Sequence, residues 1–210
     1  MKKEVAQALL DIQAVFLSPE KPFTWSSGIK SPIYCDNRLV LSYPEIRKTI
    51  EKELASLILK HFPNVEVIMG TATAGIAHAA IIADILNLPM GYVRSVPKDH
   101  GRTNAIEGKV EENQKVVVIE DLISTGGSVV NVVETLRLAK TDVLGVISIF
   151  TYHLKEASDH FEKHQIRHIS LSDFNTLIDL ALESNLINEN EYQKCLAFQK
   201  NPKLNDWMNL

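Results

Sequence analysis

The sequence predicts an α/β fold with a mostly parallel central sheet covered by helices. Three observations predict it. Between residues 65 and 171, short β-branched runs alternate with amphipathic helical stripes, a β-α-β rhythm that needs crossovers and therefore parallel strands. Three of those strands run into turns rich in small, hydroxyl or charged residues: GTATAG (70–75), RSVPKDHGR (94–102) and EDLISTGGS (120–128). Open parallel sheets bind ligands beyond the carboxyl ends of their strands. Finally, 210 residues that are 45% hydrophobic and 23% charged can bury a full core without disulfides, as one large domain or as a core with an attached subdomain.

The elements follow in order. Residues 3–16 place Val5, Ala8, Leu9, Ile12 and Phe16 on one face, which predicts an amphipathic helix. Pro19, Pro22, Gly28 and Pro32 then punctuate a turn-rich segment containing FTWSSGIKSPIYCDNR. Pro44 suits the first turn of a helix over 44–61, with Ile46, Ile50, Leu54, Leu57 and Ile58 as its stripe. Strands are expected at 65–69, 89–93, 115–119, 143–150 and 166–171, and helices at 75–87, 125–139 and 154–164. The tail, 172–210, reads as helices joined by the polar ESNLINENE stretch. Residues 95–114 have neither stripe nor alternation. A structureless stretch of that length inside a compact domain is usually either functional or mobile, and Lys98, Asp99, His100, Gly101, Arg102 and Asn104 favour the functional reading.

Composition excludes several classes. A net charge of −4 gives no general attraction to nucleic acid or anionic lipid. Cys35 and Cys195 stand far apart and outside any CxxC pair, which argues against a zinc site or a disulfide scaffold and fits a reducing compartment. The longest apolar stretch, 76–88, is broken by His78, Asp84 and Asn87, and the N-terminal apolar stretch carries Glu4, Gln7 and Asp11. Neither a membrane span nor a secretory signal is expected, and the cytoplasm is the default.

The chemistry concentrates in VVVIEDLISTGGS (116–128). Four apolar residues make a buried strand, and Glu120 and Asp121 follow where it is expected to end. Carboxylates suit sugar hydroxyls. The turn Ser124-Thr125-Gly126-Gly127-Ser128 offers backbone N–H groups to a phosphate at a helix start, with Ser124 or Thr125 as N-cap. It is neither a Walker A loop nor GxGxxG. An ordinary strand-to-helix turn with solvated acids is the bland alternative, but two adjacent acids at a sheet edge disfavour each other without a ligand. GTATAG can hold a second anion through Thr71 and Thr73, or be a close-packed turn only. Arg94, Lys98 and His100 can be a cationic lid over a leaving group, or a solvated loop. His78, the remaining histidines, Trp25 and Trp207 have structural explanations, as packed or solvent-facing residues, and no metal-ligand spacing or covalent nucleophile is evident.

These residues resemble a known family. VVVIEDLISTGGS is similar to the phosphoribosyl-diphosphate (PRPP) motif of type I phosphoribosyltransferases, which specifies only the superfamily. FTWSSGIKSPIYCDNR and RSVPKDHG, added to it, resemble orotate phosphoribosyltransferases, and the likeness extends over essentially the whole chain. The resemblance implies a type I phosphoribosyltransferase fold with a small N-terminal hood: a helix and hood at 1–43, a core at 44–171 and a helical segment at 172–210 packing on core and hood, within one structural domain. It implies that Glu120 and Asp121 contact the ribose hydroxyls. PRPP would also be bound by Leu122, Ile123, Ser124, Thr125, Gly126, Gly127 and Ser128, by Thr71, Ala72, Thr73 and Ala74, and by Arg94, Lys98 and His100, the last three also catalytic. Ser124, Ser26, Ser27, Gly28, Lys30 and Tyr34 would bind orotate, with Ile33 shaping the hood.

The resemblance also implies the reaction. N1 of orotate attacks C1 of the ribose as diphosphate leaves, through an oxocarbenium-like state that needs alignment, leaving-group stabilisation and exclusion of water rather than a protein nucleophile. Mg2+ would be held mainly by PRPP and water, with no protein metal site. A homodimer is implied, with loop 94–102 contributed to the neighbouring active site, and no nucleic-acid or membrane partner. Ser95 stands where many relatives carry a second lysine, and Ser26, Thr73-Ala74 and Tyr152 stand where some carry a lysine, a Tyr-Lys pair and an arginine. That leaves the orotate carboxylate to backbone amides near Ser27 and Gly28, or to Lys30. Two rivals are a purine-base transferase, against which the SGxKSPIY and KDHG segments argue, and a non-catalytic sensor of PRPP or nucleotide. Lys98 and His100 argue against the sensor, since it has less need of a cationic lid, and the acidic chain argues against RNA binding.

Overall fold

At the centre of the molecule lies β8 (Lys115–Ile123), whose Val116–Ile119 stretch is wholly buried. The computed structural model describes residues 1–25, 27–94 and 105–210. Alternate side chains of β8 point to opposite faces, and both faces are apolar. Val117 and Ile119 join one core, Val116 and Val118 the other. This is why the strand reads as a continuous apolar run rather than an alternating one.

The flanking strands are β5 (Val67–Thr71) and β9 (Asp142–Thr151), both parallel to β8. Beyond them lie β6 (Met90–Val93), antiparallel β7 (Ile106–Glu107) on one side, and β10 (His168–Asp173) on the other. Among the described residues the central sheet has the order β10-β9-β8-β5-β6-β7. The expected mostly parallel sheet is borne out.

One face is covered by α4 (Gly127–Leu138) and α5 (Lys155–Lys163), through Val129, Val133, Leu136 and Phe161. The other is covered by α1 (Lys2–Asp11), α2 (Pro44–His61), α3 (Ala74–Leu86), α6 (Phe174–Glu183) and α7 (Glu189–Lys200). Short strands at the N-terminus form two small ribbons: β1 (Val15–Leu17) with β4 (Ile33–Cys35), and β2 (Phe23–Thr24) with β3 (Lys30–Ser31). The chain ends meet, since Lys2 Nζ donates to Asp173 Oδ2 at 2.6 Å and Lys194 Nζ to Glu20 Oε1 at 2.7 Å.

Several boundaries differ from expectation. The first helix stops at Asp11 rather than running to residue 16. Gln13 takes a left-handed φ of 57°, and Ala14 N–H caps the Leu9 carbonyl at 2.9 Å. Phe16, expected on the apolar face, is instead a strand residue and 39% exposed. The strand expected at 65–69 lies two residues later, so Gly70 and Thr71 belong to β5 rather than to the following turn. Residues 105–114 are not structureless, because Ile106 and Glu107 pair with Val93 and Tyr92. β8 does not end at residue 119. It continues through Glu120 and Asp121 to Ile123, because β9 keeps pairing with it as far as Thr151. The N-cap of α4 is Gly126, at φ 78°, and neither Ser124 nor Thr125 makes a capping bond. A Cβ on Gly126 would meet Phe161 Cε1 at 3.0 Å, so both its backbone angle and its packing favour glycine there.

Candidate active site

β8 outruns β5 at the carboxyl edge of the sheet. The β5–β8 ladder stops at Gly70 and Ile119, whereas β9 holds β8 up to Ile123. Glu120 and Asp121 therefore stand on a strand that is paired on one side only. Glu120 is 7% exposed, and its Oε1 accepts the Asp121 backbone N–H at 3.0 Å. Burial first, then the neighbouring Asp121 charge, pushes the Glu120 carboxyl up to about 8. Burial thus favours the protonated form of Glu120, which can donate as well as accept beside Asp121. Such a pair matches a diol, whose hydroxyls both donate and accept.

The turn at 124–128 leads straight into α4. With no side-chain cap on that helix, its first amides are left for another acceptor, and the positive end of the helix dipole faces the same way. His160 Nδ1 hydrogen-bonds the Thr125 carbonyl at 2.9 Å and ties the turn to α5.

On the other side of β8, Thr71 ends β5 and is buried, its hydroxyl donating to the Ile119 carbonyl at 3.2 Å. A Cβ on Gly75 would fall on that same carbonyl and 2.6 Å from Thr71 Oγ1, so the start of α3 packs directly on β8. Close packing thus accounts for Gly75, but Thr73 remains exposed at the turn. The Ala72–Thr73 peptide is cis, and Ala72 N–H donates to the Val93 carbonyl at 3.0 Å. Arg94 follows β6, pairs with Glu107 Oε1 at 3.6 Å, and has a buried Nη1 without a hydrogen-bond partner among the described residues. Lys98, His100 and Ser26 lie outside the described residues.

Ser124 and Thr125 also line a cavity of about 800 Å3. Ser27, Gly28, Lys30 and Tyr34 form its N-terminal wall, so the structure brings the hood residues and the turn together. Trp25 both packs and lines this wall. Its ring centre lies 5.0 Å from that of Tyr152, and its Nε1 donates to the Ile33 carbonyl at 3.1 Å. Tyr152 is 3% exposed, and burial pushes its phenol well above the usual range. His78 is buried in α3, its Nδ1 2.5 Å from Glu51 Oε1 on α2. It is a packing residue, in line with the sequence reading.

Two contributions escaped the sequence reading. Asn37 is fully buried and donates from Nδ2 to the Asp121 carbonyl at 2.8 Å, while its Oδ1 accepts from Cys35 Sγ at 3.2 Å. It joins the hood to the acid-bearing strand. Pro202, Lys203 and Asn205 of the C-terminal segment, with Glu156 of α5, also line the cavity. The Asn201-Pro202 turn signal was available in sequence, but nothing local says which cavity that turn lines.

Comparison with known proteins agrees with this architecture. A family model described as "Phosphoribosyl transferase domain" matches residues 40–184, which include the sheet and both turns. The chain is 57% identical over 208 residues to the orotate phosphoribosyltransferase of Bacillus anthracis, covering 99% of each. It resembles the solved structure of the Aeropyrum pernix orotate phosphoribosyltransferase at a TM-score of 0.76 and 26% identity, covering 88% of this chain and 99% of that one. It also matches Leishmania donovani UMP synthase at a TM-score of 0.79 and 30% identity, over 94% of this chain and 42% of that longer one. The chain belongs to the orotate phosphoribosyltransferase family.

Proposed function

We propose that this chain transfers the phosphoribosyl group of PRPP to N1 of orotate, yielding orotidine 5'-phosphate and diphosphate in pyrimidine nucleotide synthesis. The observation that carries the reading is the shared wall at Ser124 and Thr125. There the uncapped helix start, suited to a phosphate, adjoins a cavity large enough for a base.

In this reading Glu120 and Asp121 hold the ribose hydroxyls, and the amides of 124–128 hold the 5-phosphate. Leu122 and Ile123 carry the strand to that turn. Thr71, Ala72, Thr73 and Ala74 flank the diphosphate, with Arg94, Lys98 and His100 supplying charge to it as it leaves. Ser27, Gly28, Lys30, Tyr34 and Ser26 surround the base. Holding the two reactants in line and excluding water lowers the barrier without a covalent intermediate.

Among the described residues no cluster of three or more His, Cys, Asp or Glu side chains is placed to hold a metal ion. A divalent cation that arrives on PRPP oxygens and keeps its waters needs no such cluster. Bound Mg2+ would neutralise charge on the diphosphate. We further propose residues 1–43, 44–171 and 172–210 as hood, core and covering segment. The working form is a homodimer in the cytoplasm in which loop 94–102 serves the neighbouring site. No helix among the described residues is long and apolar enough to cross a membrane.

The decisive assay is the loss of orotate absorbance on mixing purified protein, PRPP and Mg2+. Turnover with a purine base and none with orotate would overturn the reading. For the shared loop, Lys98→Ala subunits mixed with Asp121→Asn subunits should regain activity in mixed dimers. Mixed dimers that form and stay inactive would remove loop sharing.

A further inference from the structure

Orotate differs from uracil by a carboxylate, so a site that prefers it needs a cation near the base. Resting on the orotate reading above, we propose that Lys203, carried by the C-terminal segment, receives that carboxylate. Two lysines line the described walls of the cavity, Lys30 and Lys203. Both side chains are exposed, and the Lys30 ammonium donates to Thr24 Oγ1 at 2.7 Å on its own β2–β3 ribbon. Lys203 lines the cavity from the C-terminal segment, with its Nζ 2.9 Å from Glu156 Oε2.

Glu156 is the acid that faces Lys203. It lines the same cavity and would repel an anionic base unless its own charge were answered. An ammonium has three donors, so Lys203 can keep Glu156 and still bind a second carboxylate between them. Tyr152, on the cavity floor, is neutral and cannot supply the charge.

The segment bearing Lys203 is also anchored. Trp207 is 3% exposed and edge-on to Phe198 at 5.7 Å. Phe198 is edge-on to Trp25 at 5.8 Å, and Trp25 lies against Tyr152. This aromatic series connects the tail to the floor of the cavity. The turn at 201–204 is closed by the Leu204 N–H on the Asn201 carbonyl at 3.2 Å. Lys203 is therefore on a positioned turn rather than a loose end.

The test compares two products, orotidine 5'-phosphate and uridine 5'-phosphate, which differ only by the carboxylate, in calorimetric titrations of the full chain. Lys203→Ala should weaken the first about tenfold and the second less than twofold, the scale of one lost charged hydrogen bond. Lys203→Arg should recover most of the preference. Equal weakening of both nucleotides would mark a structural role and overturn the assignment. A preference lost in Lys30→Ala but kept in Lys203→Ala would overturn it in favour of Lys30. Wild-type protein that turns over no orotate would overturn the underlying reading, and the assignment with it.

Discussion

In the proposed site the sugar-phosphate half comes from one continuous stretch, residues 120–128, set at the end of β8, whose Val116–Ile119 stretch is wholly buried. The base half is assembled from separate pieces: the ribbons around residues 23–35, Tyr152 at the end of β9, and the turn at 202–205. The first half has its geometry imposed by a nine-residue strand with neighbours on both faces. The second rests on strands of two or three residues, too short to be stable alone, and on ring contacts that hold them to the core. A cleft built this way can keep its sugar-phosphate grip while the base wall changes.

The largest expected effect lies in the continuous half. Asp121→Ala should lower kcat/KM for PRPP by roughly a hundredfold or more, as expected when charged hydrogen bonds to substrate are lost. A loss below about tenfold in steady-state kinetics would mean that the strand end is not the sugar site. Gly75→Ala tests the packing beneath it. The new methyl has no room against Ile119 and Thr71 and should cost about 1–3 kcal/mol in urea unfolding, with activity lost alongside. An unchanged midpoint would show that α3 can move off β8 freely.

The assembled half should respond differently. Trp25→Ala removes a ring contact and the Nε1 bond to Ile33, and should raise KM for orotate about tenfold while KM for PRPP stays within about twofold. Equal changes in both constants would erase the distinction between the halves.

Acid–base behaviour sharpens it further. The Glu120 carboxyl titrates from 4.5 when unfolded to about 8 when folded. Between those values the native state holds a proton that the unfolded state releases. Its contribution to stability is therefore full below 4.5 and is lost as pH rises through about 8. The ligand-free protein should lose this stability across that window, and Glu120→Gln should flatten the slope relative to wild type in denaturation at several pH values. The smallest effect is expected far from both halves. Asn188→Ala breaks the capping box of α7 and should cost about 1 kcal/mol in thermal unfolding with kinetics unchanged.

Much of the continuous half was legible in sequence because its signals are local. The valine run, the adjacent acids and the glycine pair lie within thirteen positions, and each acts through the backbone next to it. Even there, local rules misjudged two points. The strand outran its apolar run because β9 continued to pair with it, and Gly126 rather than a hydroxyl residue capped α4 because Phe161 packs against it. In the assembled half, the SSGIKSPIY segment and Lys30 were found, but Asn37 and the 202–205 turn were not. Asn37 meets Asp121 across 84 positions, and Lys203 reaches the cavity only because Trp207 is buried against Phe198.

By itself, then, the sequence determined which residues form strands and helices, where the acid pair and phosphate-suited turn lie, and the family to which the chain belongs. Those properties depend on periodicity and neighbouring residues. Only the tertiary structure decided how far β8 extends, that Glu120 is buried enough to hold a proton, and which distant segments line the base cavity. Those depend on packing between parts of the chain whose separation leaves no periodic trace.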